Sequence, residues 1–216
     1  MLRVAIDGPG GTGKSTIAKA IAAKFGLEYI DTGAMYRSLA LKSVRLGVSP
    51  DDEAAVEAML ENTTIDFVDN HVYLDGEDVG DLIRTNEISM AASNISKLPC
   101  VRAKVDEVSK HLAATRDVVM EGRDIGTIVI PDAEVKVFMT AAPEIRAQRR
   151  FDQLREAGKP ADYDEIFADI QKRDYQDSHR ALNPLRQAED AVYLDTSNMT
   201  IEENIEAIAD LIRERM

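Results

Sequence analysis

Gly8-Pro9-Gly10-Gly11-Thr12-Gly13-Lys14-Ser15 fits the pattern G-x-x-x-x-G-K-[ST], the mark of a loop that cradles a nucleoside triphosphate. Its flanks decide the fold. Leu2-Arg3-Val4-Ala5-Ile6 precedes it as a short apolar run of buried-strand type, and Ile17, Ala18, Ile21, Ala22 and Phe25 follow at helical spacing, with Gly26 as the stop. The order is strand, glycine-rich loop, helix. Glycines let successive N–H groups turn inward without a Cβ clash, and the helix N-terminus adds partial positive charge, so the loop suits a phosphate. Lys14 is placed to reach the β and γ phosphates, and the Ser15 hydroxyl to hold a Mg2+ ion bridging the same oxygens. The loop points to ATP or a similar triphosphate without saying what is done with it, since switches, motors and small-molecule kinases all use one.

The chain has 216 residues, enough for one α/β domain with an insertion or two. Its net charge of −13 argues against nucleic acid or an anionic membrane as the main partner. An anionic substrate must then be held by a local cluster of cations. The single cysteine, Cys100, reads as a small apolar core residue in a reducing compartment. No apolar run approaches the ~20 residues of a membrane span, and the expectation is a cytoplasmic protein.

Outward from the loop, four further strands are expected at 27–30, 117–120, 135–139 and 192–194, alternating with helices. That alternation implies a five-stranded parallel sheet with helices on both faces. Ligands of such sheets bind beyond the carboxyl ends of the strands, where Asp7, Asp31-Thr32, Glu121 to Asp124, Thr140 and Asp195 fall. Residues 34–46 read as a helix with Tyr36 and Arg37 in its first turn, where a cation is normally disfavoured; Arg37 is either solvated or faces a compensating anion. Residues 48–85 read as a β-rich insertion behind a short acidic helix, and such insertions often carry a second substrate. Two helical stretches, 87–96 and 101–114, follow around Leu98-Pro99 and carry Ser93 and Arg102, which are either plainly exposed or face a pocket.

Two arginine-rich helical stretches lie between the last two strands. Arg146, Arg149 and Arg150 share one face, a repulsive arrangement that makes sense if a polyphosphate docks there. Arg173, Asp177 and Arg180 stand at i, i+4, i+7, either as an exposed ion-pair ladder or as a ligand-facing row. Residues 146–162, around the Gly158-Lys159-Pro160 break, read as a lid. This is more cation than one nucleotide needs, so the expectation is two phosphorylated ligands meeting head to head, with γ-phosphoryl transfer between them.

The stretches Ile6-Asp7-Gly8-Pro9 through Ser15-Thr16, Asp31-Thr32-Gly33-Ala34-Met35-Tyr36-Arg37, Gly122-Arg123-Asp124-Ile125-Gly126-Thr127 and Lys172-Arg173-Asp174 through Asp177 and Arg180 resemble the bacterial cytidylate kinases, of the nucleoside monophosphate kinase fold. The resemblance runs over essentially residues 1–216. It implies transfer of the γ-phosphoryl group of MgATP to CMP or dCMP by a monomer, with 48–85 as the monophosphate-binding insertion. It further implies Gly8 through Thr16, with Arg146, on ATP; Ser15 on the metal; Lys14, Arg123, Arg150 and Arg173 in catalysis. Thr32, Arg37 and Arg123 would meet the acceptor monophosphate, Ser93, Arg102 and Asp124 its cytosine, and Arg173 with Asp177 its sugar hydroxyls, with Tyr36 and Arg180 also on the substrate. Cytosine presents an amino donor and two acceptors on its pairing edge, which a carboxylate with Arg and Ser donors complements. Two rivals stay open: another small-molecule kinase, acting on UMP or AMP, and a nucleotide-gated switch, although no guanine-reading Asn-Lys-x-Asp is present.

Overall fold

A computed structural model describes residues 1–216, the Asn86 side chain apart. Strand β1 (Arg3–Asp7) runs into the glycine loop, and helix α1 (Lys14–Phe25) leaves it with Ile17, Ala18, Ile21 and Ala22 buried on one face. Gly26 ends α1 at φ 68, the left-handed C-cap that glycine takes without penalty. β2 (Glu28–Asp31) hands over at once to α2 (Thr32–Leu46), whose N-cap Asp31 accepts the Ala34 N–H at 3.0 Å.

The insertion contains α3 (Glu53–Glu61), capped by Asp52, and a small antiparallel sheet of β3 (Ile65–Val68), β4 (His71–Leu74) and the two-residue β5 (Glu77–Asp78). The β3–β4 turn puts Asp69 and Asn70 at φ 50 and 64, the left-handed pair that a two-residue hairpin requires. Helices α4 (Asn86–Ile95) and α5 (Pro99–Thr115) follow, Pro99 standing in the first turn of α5 where its missing N–H costs nothing. Then come β6 (Val118–Gly122), a single π-helical turn over Ile125–Val129, β7 (Val135–Thr140), α6 (Pro143–Glu156), α7 (Tyr163–His179), β8 (Val192–Asp195) and α8 (Ile201–Arg213). The five-stranded parallel sheet has the order β2-β6-β1-β7-β8, as expected for an α/β kinase fold.

The chain divides into two compact units, residues 1–27 with 119–216, and residues 28–118. In the first, β1 and β7 pair in parallel with Asp7 opposite Phe138, and β7 pairs with β8 with Thr140 opposite Asp195. That register brings the polar ends of three strands to one edge. At the other end, Arg3 forks onto Glu134 and Asp132 and fastens β1 to the segment before β7. Val4, Ile6, Ile21, Met120, Met139 and Ile208 are essentially fully buried. α8 carries a capping box, Thr200 and Glu203 satisfying each other's backbone amides.

In the second unit, Met35, Leu39, Phe67, Ile83, Ile95 and Leu112 form the core. Arg116 clamps the hairpin, its guanidinium bonding Glu28, Asp66 and the Phe67 carbonyl at 2.8–3.1 Å. Cys100, expected in the core, is only half-buried at the start of α5, where burial pushes its thiol up. Among the described residues no helix is long and apolar enough to cross a membrane.

Candidate active site

The glycine loop folds as its sequence requires. Gly8, Gly11 and Gly13 sit at φ 145, 80 and 93, conformations that residues with a Cβ rarely adopt. Lys14 is 5 % exposed, and its ammonium donates to the Pro9 carbonyl at 2.6 Å. Burial, with Arg123 close by, holds the Lys14 ammonium well below its ordinary range, against the pull of Glu121 and Asp7. Ser15 and Thr16 are exposed at the first turn of α1, their hydroxyls accessible to a ligand.

Cations from three separate segments gather on this loop within the first unit. A methyl group on Gly10 would lie 3.6 Å from an Arg123 nitrogen and 4.0 Å from one of Arg173; on Gly11 it would lie 3.2 Å from Arg146 Cβ. Arg146 is buried, donates to the Gly10 carbonyl at 3.0 Å, and forks onto Asp174 of α7 at 3.0 and 2.5 Å. Arg123 donates to Asp177 at 2.8 Å, and Arg180 stands 3.3 Å from Asp124. Burial opposes ionisation of Asp177, but the charge and hydrogen bond of Arg123 outweigh it and keep the carboxyl below the usual range. No residue of α7 is buried: Arg173 is exposed, and Asp177 and Arg180 are half-buried. Asp177 pairs with Arg123 across the unit, and Arg180 caps the helix end.

Of the arginines on α6, the structure brings Arg146 and Arg149 to the loop. Arg149 donates to the Thr12 carbonyl at 3.4 Å and to the Thr196 carbonyl at 2.6 Å, whereas Arg150 is exposed and bonded to Gln153. The Thr196 hydroxyl lies within 3.2 Å of the Thr12 carbonyl and 3.0 Å of the Thr140 carbonyl, so the ends of β7 and β8 brace the loop. Asp174 and Thr196 were not singled out from the sequence, and Arg149 stood there only as one of three arginines on a face, without a role of its own. Asp174 lies inside the Lys172-Arg173-Asp174 stretch, and its position one turn before Asp177 was the signal for it.

Asp7 and Glu121 are also buried at this edge. Burial pushes the Asp7 carboxyl up to about 6, although amides of Gly126 and Ile125 pull it down. Ser15, exposed at the head of α1, offers a hard oxygen of the kind a Mg2+ ion takes.

The second unit holds the remaining expected residues. Thr32 is buried at the start of α2, and Arg37 answers the question of its anion: it pairs with Asp31 at 2.8 Å. Arg102, 4 % exposed, stacks its guanidinium over Tyr36 at 5.6 Å from the ring centroid and reaches the Ser96 carbonyl. Ser93 is exposed on α4, its carbonyl accepting from Ser96.

A family model described as "Cytidylate kinase" matches residues 4–214. A cytidylate kinase of Fervidobacterium nodosum is 45% identical over 213 residues, covering 99% of this chain and 97% of the relative. One from Lactobacillus johnsonii is 46% identical over 219 residues, covering 100% and 95%. In structure, a shikimate kinase from Bacteroides thetaiotaomicron matches at a TM-score of 0.51 and 15% identity over 98% of both chains, a likeness of fold alone. With the glycine loop and its surrounding arginines in place, and relatives alike from end to end, the chain belongs to the cytidylate kinase family.

Proposed function

We propose that the first unit grips ATP through the loop Gly8 to Thr16, with Lys14 on the β and γ phosphates and Arg146 beside them. The chain is an ATP-dependent CMP kinase. The observation that carries the site assignment is the convergence of Lys14, Arg123, Arg146 and Arg173 on Gly10 and Gly11. Asp177 and Asp174 already pair with two of these cations, and the phosphates of a triphosphate meeting a monophosphate would compete with them for the arginines.

In the transfer, an oxygen of the acceptor phosphate forms a bond to Pγ while the bond from Pγ to the β,γ-bridging oxygen breaks and ADP leaves with that electron pair. A phosphate acceptor is already ionised near pH 7, so no general base is required. The protein's task is alignment and neutralisation. Asp177 and Asp174 hold Arg123 and Arg146 in orientation until phosphate oxygens compete for them. Ser15 would hold Mg2+, which supplies charge neutralisation at the phosphate oxygens. Arg150 and Arg155, on the exposed side of α6, belong to the lid that excludes water on closure.

For the acceptor, we assign Thr32, Arg37 and Arg123 to the monophosphate, Ser93, Arg102 and Asp124 to the cytosine of CMP or dCMP, and Arg173, Asp177 and Arg180 to the sugar side. The burial of Arg102 and Asp124, two charged groups held out of water, supports this reading. Asp124→Asn tests it. The amide can donate where the carboxylate cannot, so the kcat/KM preference for CMP over UMP should fall by about tenfold or more, within the ~1–3 kcal/mol of one base contact. An unchanged preference places base reading elsewhere.

The depressed Lys14 ammonium gives a second expectation. Polyphosphate raises it again, so ATP binding at pH 8–9 should take up a fraction of a proton, seen as a dependence of the calorimetric enthalpy on the buffer's ionisation enthalpy. The sign follows from the direction: a group neutral before binding and charged afterwards gains a proton. Enthalpies that agree across buffers at that pH would show Lys14 to be fully charged beforehand.

A further inference from the structure

The carboxyl end of β1 holds a buried group for which phosphoryl transfer has no direct use. Both oxygens of Asp7 are engaged by backbone: the Ile125 N–H donates to Oδ1 at 2.8 Å and the Gly126 N–H to Oδ2 at 2.7 Å. These are the first two residues of the π-helical turn Ile125–Val129, whose leading amides find no acceptor within the turn. An aspartate at the N-cap ordinarily supplies that acceptor from its own side chain. Asp124 occupies the N-cap, yet its side chain makes no capping bond. It lies instead 3.3 Å from Arg180. The turn and the carboxylate fit closely: a Cβ on Gly126 would stand 3.4 Å from Asp7 Oδ2 and 3.2 Å from Lys136 Cδ.

We propose that Asp7 is a positioning residue for acceptor selectivity: by capping the 125–129 turn from β1, it relieves Asp124 of capping and leaves that carboxylate to the acceptor base. This rests on the assignment of Asp124 to the cytosine. Without the Asp7 acceptor, two buried amides are left unpaired, and the Asp124 carboxylate beside them is the group best placed to turn inward and satisfy them. Base discrimination then falls, while the loop that grips ATP keeps its own geometry.

The test is steady-state kinetics of Asp7→Asn with CMP and UMP as acceptors, run beside Asp124→Asn. Asparagine keeps the volume but sets an NH2 donor against an N–H. The CMP-to-UMP ratio of kcat/KM should drop about tenfold, a change of about 1.4 kcal/mol, through the KM for CMP, with the KM for ATP within about twofold of wild type. Gly126→Ala, whose Cβ would press on Lys136 Cδ at 3.2 Å and touch Asp7 Oδ2 at 3.4 Å, crowds the same junction; it should shift the ratio in the same direction by less, and decides the matter if Asp7→Asn does not fold. A merely structural role would raise both KM values together or leave the ratio untouched, and either result overturns the proposal. Should Asp124→Asn lower the ratio and Asp7→Asn not, Asp7 alone is wrongly assigned. Should Asp124→Asn leave it unchanged, the base reading falls, and the role of Asp7 falls with it.

Discussion

Replacing Lys14 by alanine should lower kcat for CMP phosphorylation by about a thousandfold, the scale on which one donor to a developing charge contributes in a water-poor site. Lys14 is buried at the loop with its ammonium on the Pro9 carbonyl, so its reach is confined to the donor phosphates. The affinity for CMP, measured by calorimetry without ATP, should therefore stay within about twofold of wild type, a change of less than about 0.5 kcal/mol. A variant that loses CMP binding along with turnover would contradict this placement. One that keeps turnover within about tenfold would show that the arginines alone carry the charge.

Gly8→Ala should be among the most destabilising single substitutions in the chain. Its Cβ would fall 1.9 Å from the Met139 carbonyl oxygen and 2.9 Å from the carbonyl carbon, and φ is already +145. Met139 is fully buried in β7, which pairs with β1 on one side and β8 on the other. Neither backbone can withdraw without breaking a ladder. Overpacking and a forbidden φ together cost at least about 3 kcal/mol. For a chain of this size that corresponds to a fall in thermal midpoint on the order of 10 °C. Gly76→Ala is the comparison: φ is also positive, at +84, but no atom lies within 4 Å, so it should cost only about 1 kcal/mol of backbone strain. Equal midpoints for the two variants would refute the close approach of the loop to β7.

The strand-loop-helix order, the five parallel strands and most helix limits were legible because they rest on local chemistry. Apolar runs and Gly26 as a stop act within a few residues; the caps Asp31, Asp52, Asp162 and Thr200, equally local, were not read in advance. β5 was not legible. It has two residues, Glu77 and Asp78, both exposed, and exists only because β4 offers them a partner. The π-helical turn was hidden for a similar reason: the acceptor that caps it, Asp7, lies 118 residues earlier in the chain.

For the site, residue types were legible and pairings were not. Spacing put Arg146, Arg149 and Arg150 on one face, and only the packing of α6 against the loop and Thr196 separates Arg149 from Arg150. The anion opposite Arg37 turned out to be the cap residue of its own helix, Asp31. Likewise, Asp177 is held by Arg123 from the end of β6, a contact that no i, i+4 argument within α7 reveals.

The central claim is that this loop is the donor half of a phosphoryl transfer to CMP, and ADP formation from MgATP in the presence of a panel of monophosphates tests it most directly. CMP should accelerate ADP formation by several orders of magnitude over ATP alone, with UMP and AMP at least about tenfold poorer by kcat/KM, as expected if one pairing-edge contact is lost. Faster turnover of UMP or AMP than of CMP, or ADP formation indifferent to every acceptor, would contradict the account.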